Sequence, residues 1–370
     1  MRELERCSVC GEAHSLGSLI EFDDQLLCPS CIGLETTTCS RCGRRIWNDD
    51  NAGDDRIPLC RSCYDNFYTT CEHCGRTINC DDAYYADEDC DQDDPLCWSC
   101  YCRSQRDKEI HDYSYKPTPI FYGKGSRYYG VELEIDAGGE DSDHACQLMR
   151  QANRGVERVY CKHDGSLSDG FEIVTHPMTL EYHQQSMPWL ELLGEAVKMG
   201  YLSHKANTCG LHIHVNRSAF GYTETQQEMC IARILYIVEK FWDELLKFSR
   251  RSKSQLDRWA ARYGYKDQPM EILDSAKSGC GRGRYASVNL QNSDTIEFRI
   301  FRGTLKYNTL IATVQLVDRI CDLAVNMSDE LLQAMAWTSF VSGCTQPELV
   351  QYLKEQRLYV NEPVTNEEEI

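Results

Sequence analysis

Gly130-Val131-Glu132-Leu133-Glu134-Ile135 is the stretch from which the fold of this chain can be worked out. In an extended segment successive side chains point to opposite faces, so the apolar residues lie on one face and Glu132 and Glu134 on the other. The two carboxylates are about 6.5 Å apart along the strand, a spacing at which they can bracket one or two hard cations. An amphipathic strand with a solvated acidic face has the same pattern, so other segments have to decide between the two.

Later segments repeat this alternation with complementary polar residues. The side chains predicted to share one sheet face are Glu132, Glu134, Glu172, His212, His214, Asn216, Glu297 and Arg299, with Asp164 on an adjoining turn. Four carboxylates on one buried face repel each other unless a cation is bound. Their oxygen atoms suit magnesium, which takes a few carboxylates and completes its shell with water and substrate phosphate. His-x-His on a strand is also typical of zinc or iron sites.

Arginines accompany the acidic residues. Arg299 and Arg302 lie at the end of the last predicted strand, and Arg282 and Arg284 lie in or beside a glycine-rich loop at residues 279–283. Their forked guanidinium groups suit phosphate, and the loop can offer backbone N–H groups at close range. Enzymes that transfer phosphoryl groups typically place carboxylates that bind a metal beside arginines that bind phosphate. The glycine-arginine loop alone is a weak signal.

The remaining pattern predicts an α+β fold. Besides the first strand, strands are expected near residues 156–162, 171–175, 209–216, 286–290 and 295–302, and helices near 141–153, 180–199, 223–248, 308–326, 329–341 and 347–357. These elements alternate without a βαβ rhythm, so an antiparallel sheet with helices packed on one side is predicted. In the last strand, Phe301 is predicted to share the polar side with Glu297 and Arg299. Residues 250–278 have no clear pattern.

Cysteine dominates the first hundred residues. Fifteen of the 22 cysteines precede residue 103, and twelve of these form six Cys-x2-Cys pairs. The pairs that begin at Cys7, Cys39 and Cys71 recur every 32 residues. The predicted metal ligands are Cys7, Cys10, Cys28 and Cys31, then Cys39, Cys42, Cys60 and Cys63, then Cys71, Cys74, Cys97 and Cys100. Such a repeat without a secretory signal is typical of four-thiolate sites, so three structural zinc ions are predicted. In the third set, Cys80, Cys90, Cys102 and His73 could compete as ligands.

This region lacks the apolar residues of an ordinary core. A structural zinc site contributes on the order of 10–16 kcal/mol of folding free energy, which can replace that core. The repeat is similar to tandem treble-clef or LIM-like zinc ribbons, small platforms that usually bind protein or nucleic acid. Because residues 81–94 are strongly acidic, reading of DNA is disfavoured. Docking of a protein or peptide substrate, or a purely structural role, is favoured instead.

Composition limits the class of protein. The formal net charge is −19, which disfavours generic binding to nucleic acid phosphates. No apolar region follows Met1, and no apolar run approaches the roughly 18 residues that a membrane helix needs. We therefore expect a soluble, cytoplasmic protein without a membrane partner. The oligomeric state does not follow from the sequence.

Changes in cysteine, proline and acidic-residue content along the chain set the expected domain boundaries. These are zinc ribbons at residues 1–36, 37–68 and 69–110, a linker at 111–125, a catalytic domain at 118–358 and an acidic tail at 359–370. The linker is rich in proline and aromatic residues and is expected to run extended over the catalytic domain.

Five motifs of the larger domain resemble the successive motifs of the amidoligases, carboxylate–amine ligases of the glutamine synthetase and glutamate–cysteine ligase fold. They are Gly130-Val131-Glu132-Leu133-Glu134, Lys162-x-Asp164-Gly165-Ser166-Leu167, Gly170-Phe171-Glu172-Ile173-Val174-Thr175, Cys209-Gly210-Leu211-His212-Ile213-His214-Val215 and Ile296-Glu297-Phe298-Arg299-x-Phe301-x-Gly303-Thr304. The resemblance spans about residues 118–345. It implies a curved antiparallel sheet that holds ATP and two or three magnesium ions, and an acyl-phosphate intermediate captured by an amine.

The resemblance also implies roles on the metal side of the site. Glu132 and Glu134 would hold metal, and Asp164 and Glu172 would complete the metal or amine side. Glu297 would bind the metal nearest the γ-phosphate.

On the phosphate side, His212 or His214 would approach the ATP phosphates or a metal. Arg299 would stabilise charge on the transferring group. The further candidates for cofactor binding are Arg282, Arg284, Asn216 and Arg302.

Three hypotheses of function remain. The leading one is an ATP-dependent ligase that forms an amide or isopeptide bond on a peptide, protein or amino-acid-like substrate docked by the zinc ribbons. The second is a metal-dependent hydrolase built on His212, His214 and Glu172. The third is a non-catalytic adaptor whose only function lies in the zinc ribbons.

Overall fold

A computed structural model describes residues 4–85, 94–104, 108–278 and 283–359 of the chain. The chain divides into two units, Met1–Asp107 and Lys108–Ile370. Arg282 and the predicted acidic tail, apart from Tyr359, lie outside the described residues.

The first unit consists of three small repeats. Its strands and helices are β1 Leu4–Arg6, β2 Ala13–Ser15, β3 Ile20–Phe22, β4 Gln25–Leu27, α1 Pro29–Glu35, β5 Thr36–Thr38, β6 Arg45–Trp47, α2 Arg61–Phe67, β7 Tyr68–Thr70, β8 Thr77–Asn79 and α3 Trp98–Ser104. In each repeat two strands pair antiparallel across the leading cysteine pair, as β1–β2, β5–β6 and β7–β8. The apolar core is small; in the first repeat, Leu27 and Ile32 are buried among the cysteines.

The second unit is built on one seven-stranded sheet. Its elements are β9 Ile110–His111, β10 Tyr129–Ile135, α4 Ser142–Asn153, β11 Val159–Lys162, β12 Phe171–Thr175, α5 Leu180–Gln185, α6 Trp189–Lys198, β13 Gly210–Asn216, α7 Glu224–Lys240, α8 Trp242–Ser249, α9 Lys253–Trp259, α10 Pro269–Lys277, β14 Val288–Asn289, β15 Thr295–Arg302, α11 Tyr307–Asn326, α12 Asp329–Ala334, α13 Trp337–Ser342 and α14 Pro347–Glu355. The strand order is β14-β15-β13-β10-β12-β11-β9.

The predicted α+β fold is confirmed, with one difference at the sheet edge. All neighbouring strands are antiparallel except β9 and β11, which are parallel. β9 comes from Ile110 and His111, the last residue of the predicted third ribbon and the first of the predicted linker, so the sheet is mixed. A parallel neighbour requires a long crossover, and β10 and α4 lie in the chain between these two strands.

The central strand β10 separates an apolar face from a polar one. Val131, Leu133 and Ile135 are fully buried in one apolar cluster with residues of α4, α6, α7 and α11. Complete burial of such a side chain stabilises the fold by about 1.5–3 kcal/mol. This cluster therefore holds the strand and fixes which side chains point to the other face. Within the described ranges, no helix combines the length and apolarity needed to cross a bilayer.

Three predicted helices are each divided in two. The segment 180–199 forms α5 and α6, because Pro188 has no backbone N–H and disfavours a helical conformation in the residue before it. The segment 223–248 forms α7 and α8. Between them Phe241 leaves the helical region (φ −102°, ψ 32°) and its ring packs against Trp337 and Phe340. The segment 329–341 likewise forms α12 and α13.

Residues 250–278, for which the sequence predicts no element, contain two helices. α9 begins with a capping box, in which Ser252 accepts from the backbone N–H of Gln255 and Gln255 accepts from that of Ser252. α10 begins at Pro269, the first helical residue, where a proline is well tolerated. Local signals at the helix starts could therefore have indicated both elements.

A bulge in β15 decides two side-chain orientations. The register between β13 and β15 shifts just after Leu211, so that Leu211 lies opposite Phe301. One extra residue reverses the alternation of a strand. Phe301 therefore joins the apolar face, buried with its ring centroid 6.0 Å from that of Phe248, and the prediction that it faces the polar side is wrong. Arg302, opposite Gly210, lies on the polar side instead.

His183 on α5 makes the stability of this fold sensitive to pH. The side chain is fully buried, with Nε2 3.1 Å from the carbonyl oxygen of Tyr129. Burial lowers the pKa of His183 from 6.5 to about 4, so stability present above pH 6.5 is lost as the pH falls toward 4. Between pH 7.5 and pH 5, we expect wild type to lose about 2 kcal/mol more than His183→Gln, measured by urea unfolding.

Both proteins are compared as full chains, so any effect of acid on the first unit is the same in both. Equal losses would mean that His183 binds its proton in the folded state as readily as in the unfolded one.

Candidate functional site

The sheet face opposite the apolar cluster collects ionisable side chains from five adjacent strands. We call this set the polar face; it consists of Glu132, Glu134, Lys162, Glu172, His212, His214, Glu297 and Arg299. Cross-strand neighbours on it are Glu134 and Glu172, Glu132 and His212, and His214 and Glu297. Every strand residue predicted for the metal or catalytic site is therefore brought to one surface.

The two histidines lie between carboxylates. His212 Nδ1 is 3.3 Å from Glu132 Oε2 and 3.5 Å from Glu297 Oε1, and His212 Nε2 is 3.6 Å from Glu134 Oε1. His214 Nε2 is 3.0 Å from Glu132 Oε1, although the contact lacks hydrogen-bond geometry. Burial lowers the pKa of His214, but the charge of Glu132 outweighs it and raises the pKa to about 9. Conversely, burial alone would raise the pKa of Glu132, but the charge of His214, the hydrogen bond from His212 and the charge of His212 hold it well below its usual range.

Glu297 is held by donors on two sides. Asn289 Nδ2, on the neighbouring strand β14, donates to Glu297 Oε2 at 2.8 Å, and Arg299 Nη1 contacts Glu297 Oε1. Burial by itself would lower the pKa of Arg299, but the opposing effect of the Glu297 charge is larger. The net result is a raised pKa, so the guanidinium stays charged. Glu297 is therefore fixed in orientation, with a permanent cation beside it.

On the other side of β10, Lys162 is the partner of Glu172. Lys162 Nζ lies 2.9 Å from Glu172 Oε1, and both side chains are buried. Burial, with the charge of Glu132, raises the pKa of Glu172 to about 8 despite this lysine, and burial also raises the pKa of Glu134. The face thus holds more carboxyl groups than its own cations keep ionised. This excess fits the binding of an additional cation.

Glycine is required at Gly210, where β13 enters the site. Its backbone N–H donates to Glu134 Oε2. A Cβ atom there would lie 2.5 Å from Arg251 Nη2 and 2.6 Å from His212 Nε2. Any side chain at this position would therefore displace two groups of the site.

Asp164 lies on the turn after β11, near the carboxylates. Its Oδ1 accepts from the backbone N–H of Ser166 at 2.7 Å. After burial and the charge of Glu132, the charge of Asp164 also contributes to the raised pKa of Glu172, which Lys162 opposes. The end of this turn is fixed by Asp136, whose carboxylate accepts from Asp169 N at 2.7 Å and Thr208 Oγ1 at 2.6 Å. Asp136 therefore links the turn to the segment that leads into β13, a role that sequence reasoning missed.

A cavity of about 810 Å³, which we call the aromatic cleft, lies at one end of the polar face. Its walls include Pro119, Phe121, Tyr128, His214 and Asn216. Asn216 is also a structural residue, because its Oδ1 accepts from Tyr128 N at 2.8 Å and its Nδ2 donates to the carbonyl oxygen of Ser126 at 3.0 Å.

A second cavity of about 630 Å³, the cationic pocket, lies where β15 ends. Its cationic side chains are Lys247, Arg250, Arg251 and Arg302. Because β13 and β15 are antiparallel, Arg302 lies at the opposite end of their pairing from Thr295, which lines the aromatic cleft.

The arginines of the glycine-rich loop have no described contact with the polar face. Arg284 is exposed and contacts the hydroxyl groups of Tyr113 and Tyr285, while Arg282 lies outside the described residues. Three contributors received no role from the sequence: Lys162, Asn289 and Arg251. The motif around Asp164 includes Lys162, so strand alternation could have placed it, but Arg251 lies in the stretch without a pattern.

Two kinds of metal-binding arrangement are present. On the polar face, ligand atoms of Glu132, His212 and Glu297 lie within 4.8 Å of one another. In the first unit, each predicted cysteine set converges within the same limit, always with the second cysteine exposed and the other three buried. Of the described residues, neither Cys80 nor His73 joins the third set, whereas Cys90 and the side chain of Cys102 are not described.

The backbone stabilises the thiolate of the first cysteine in each set, whereas the pKa of the last cysteine (Cys31, Cys63 and Cys100) is raised by its neighbouring cysteines and by burial. The glycine after each leading pair has a positive φ of 70–74°, and its N–H donates to the carbonyl oxygen of the first cysteine. Backbone N–H groups lower the pKa of Cys7 to about 6. At Cys39 and Cys71 burial raises the pKa, but hydrogen bonds from backbone N–H groups outweigh it and the pKa is again about 6. Thiolates are the form that binds metal.

Comparison with known proteins finds one family model that matches part of the larger unit. Residues 142–321 match the family model described as "putative amidoligase enzyme". Curated proteins yield no significant match. Among solved structures, a bifunctional glutathione synthetase from Pasteurella multocida is 13% identical, over 62% of this chain and 46% of that chain, with a TM-score of 0.32. The complex between the prokaryotic ubiquitin-like protein Pup and its ligase PafA gives 10% identity, over 62% of this chain and 57% of that chain, with a TM-score of 0.28. This chain spans about half the length of these two.

The Lys162–Glu172 pair yields a prediction about stability. At pH 9, above the pKa of about 8 that Glu172 has beside this lysine, Lys162→Met leaves the carboxylate of Glu172 buried without its partner, so we expect a loss of about 3–5 kcal/mol in the free energy of unfolding. The double variant Lys162→Met/Glu172→Gln should recover most of that loss, because no uncompensated charge remains. Urea unfolding of the wild type, both single variants and the double variant measures the coupling. Additive losses would show that the two side chains do not depend on each other.

Proposed function

Because residues 142–321 of this chain match the amidoligase family model, we propose that the protein is an ATP-dependent carbon–nitrogen ligase that joins a carboxylate to an amine. The observation that carries the proposal is the polar face, where four buried or partly buried glutamates exceed the local cations and converge with Arg299. Such a face suits divalent metal and phosphate together. ATP supplies the phosphoryl group that converts the substrate carboxylate to an acyl phosphate, which the amine attacks to form an amide or isopeptide bond.

The residues divide into two roles. Glu132, Glu134 and Glu297 would hold magnesium ions, with His212 fixing the orientation of their carboxylates through its contacts. Arg299 keeps its charge beside Glu297, so it is already oriented to stabilise negative charge that develops on a phosphoryl group. No reorganisation of the protein is needed at that moment, because these groups are fixed by neighbouring strands.

On the opposite side of β10, Glu172 and Asp164 are the candidates for contact with the amine. An ammonium group needs carboxylate acceptors, and both residues lie at the same edge of the polar face. Lys162 balances part of their charge when no substrate is bound.

The aromatic cleft suits the base of ATP. Phe121 is 55% exposed, and its ring meets that of Tyr128 edge to face at 5.0 Å. A flat base can cover such a surface by stacking. His214 lines the same cleft and contacts Glu132, so a nucleotide bound there can extend its phosphates toward the carboxylates.

The first unit would bind three zinc ions, one in each cysteine tetrad, and dock a protein or peptide substrate. The contacts that join its repeats include two hydrogen bonds: Trp47 Nε1 donates to Asp23 Oδ2, and Thr77 N donates to Asp54 Oδ2, both at 2.8 Å. Exposed apolar side chains such as Leu34 and Trp98 offer contact surface for a protein partner.

A metal-dependent hydrolase is the second candidate. The observation in its favour is the Glu132–His212–Glu297 cluster, since a ligand set that includes an imidazole also suits zinc or manganese. The ligase would hold magnesium loosely, whereas the hydrolase would retain a transition metal through purification.

Glu297→Gln tests the proposed chemistry. The substitution keeps the side-chain shape and the hydrogen bond from Asn289 but removes the charge that faces the metal. We expect magnesium-dependent ATP turnover to fall at least about 100-fold with the fold intact, measured by phosphate release. Glu181→Gln, an exposed residue on α5, is the matched control. If calorimetry with excess magnesium detects no ATP binding by the wild type, the proposal is wrong.

Metal analysis tests the cysteine tetrads. Purified protein should contain three zinc ions per chain, and Cys63→Ser should contain two, because it removes a buried ligand of the second tetrad. Cys80→Ser, outside the tetrads, should still contain three. The measurement is elemental mass spectrometry after dialysis. A fourth tightly held transition metal in the wild type would favour the hydrolase.

A further inference from the structure

The cationic pocket concentrates positive charge in a chain whose formal net charge is −19. The side chains that line its cavity of about 630 Å³ include Lys247, Arg250, Arg251 and Arg302. The one carboxylate among the lining residues is Asp243, which is exposed. Pockets of about 300–1,000 Å³ hold ligands of drug size, so the space exceeds what a single carboxylate needs.

These cations are not used by ion pairs within the fold. Across the described ranges, none of the four has a carboxylate oxygen within 4.0 Å. Arg302 Nη2 donates to Asn207 Oδ1 at 2.5 Å, but its Nε is buried without a hydrogen-bond partner. Clustered cations without counter-charges repel each other, and an anionic ligand would relieve that repulsion.

The positive charge around the cationic pocket also affects the pKa of His204. Its side chain is partly buried. Burial, followed by the charges of Arg250, Arg302, Lys306 and Lys205, lowers the pKa of His204 to about 4. The imidazole is therefore neutral at physiological pH and leaves the positive charge of the pocket to the arginines and lysines.

One wall of the cationic pocket is formed by Arg250, whose backbone conformation is unusual for an arginine. Arg250 follows the last turn of α8 in the left-handed conformation, with φ 57° and ψ 18°. Glycine is the usual residue at such a helix end, since a side chain is strained there. The chain instead places a guanidinium at this point, with its Cζ 5.9 Å from the centre of the Tyr352 ring.

Arg251 connects the pocket to the polar face. A Cβ at Gly210 would lie 2.5 Å from Arg251 Nη2, and the N–H of Gly210 donates to Glu134. The charge of Arg251 also contributes to lowering the pKa of Glu134 against the larger effect of burial. A ligand in the pocket would therefore end beside the carboxylates that are proposed to bind metal.

We propose that the cationic pocket binds an acidic peptide segment, so that the carboxylate substrate of this ligase carries further carboxylates beside the one that is activated. This inference rests on the proposed function and names its substrate class. Arginine forks bind carboxylates in bidentate geometry. The pocket opens toward solvent past the exposed Asn207, Asp243 and Lys247, which leaves room for a chain to continue outward.

Nucleotide phosphates are the competing ligand, and the lining disfavours them. Among the described residues that line the cationic pocket, Leu246 is the one apolar side chain, and none is aromatic. A purine base would find no stacking surface there, whereas the aromatic cleft provides one at the other end of the polar face. The two ligands would therefore approach the carboxylates from opposite ends.

Calorimetry on the full-length protein with a hexaglutamate peptide tests the assignment, with magnesium-ATP titrated separately. The variant is Lys247→Ser/Arg250→Gly, since glycine accepts the left-handed conformation at residue 250 without strain. We expect the Kd of the peptide to rise about tenfold or more, while the Kd of ATP is unchanged. The matched control is Lys253→Ser/Arg258→Ser, which removes two exposed cations of α9 outside the pocket and should leave both affinities as in the wild type.

Any result other than this one would overturn the assignment of the cationic pocket to an acidic peptide. Absence of peptide binding to the wild type, or an equal loss in the control variant, would exclude a specific acidic site. A loss of ATP affinity in the pocket variant with peptide binding unchanged would assign the pocket to nucleotide phosphates. If the wild type binds neither ligand, the ligase proposal itself fails, whereas ATP binding without peptide binding overturns only this inference.

Discussion

Glu132, Glu134, Glu172 and Glu297 lie on one face of a single sheet, and the repulsion among their carboxylates governs what the surrounding chain must supply. Like charges directly opposite each other destabilise a strand pair, yet Glu134 and Glu172 are such a pair. Neighbouring side chains offset part of this cost: a lysine on β11, an arginine on β15 and two histidines on β13. The raised pKa of Glu172 and the lowered pKa of Glu132 show that the compensation is incomplete and uneven. A bound cation is the natural completion of such a face.

The opposite face makes this arrangement possible. Helices cover the apolar side of the sheet, so burial of that side holds the strands in register against the repulsion on the other. The polar face is open at two ends, where the cavities differ in character. Aromatic and proline side chains surround one, and arginine and lysine surround the other. The first unit is stabilised differently, because its repeats have small apolar cores and depend on cysteine tetrads that suit metal.

Several features were predictable because they depend on local rules. Strand alternation placed Glu132, Glu172 and His212 on one surface, and the cysteine period located all three tetrads. The capping residue Asp141 correctly marked the start of α4. Other predictions failed where packing overrides local pattern. Phe241 interrupts a helix whose apolar periodicity continues through it, because its ring packs against two aromatic residues distant in sequence.

The sequence by itself determined the α+β class, the strand residues of the polar face and the cysteine tetrads, since alternation and spacing follow from backbone geometry alone. Only the tertiary structure decided the bulge in β15, which turns Phe301 inward and Arg302 toward the polar side. It also decided the pairing of Lys162 with Glu172 and the approach of Arg251 to Gly210. These features depend on which strands become neighbours and how their registers align. The choice of neighbouring strands and their register are both set by contacts between segments distant in sequence. The periodicity within one segment carries no information about either.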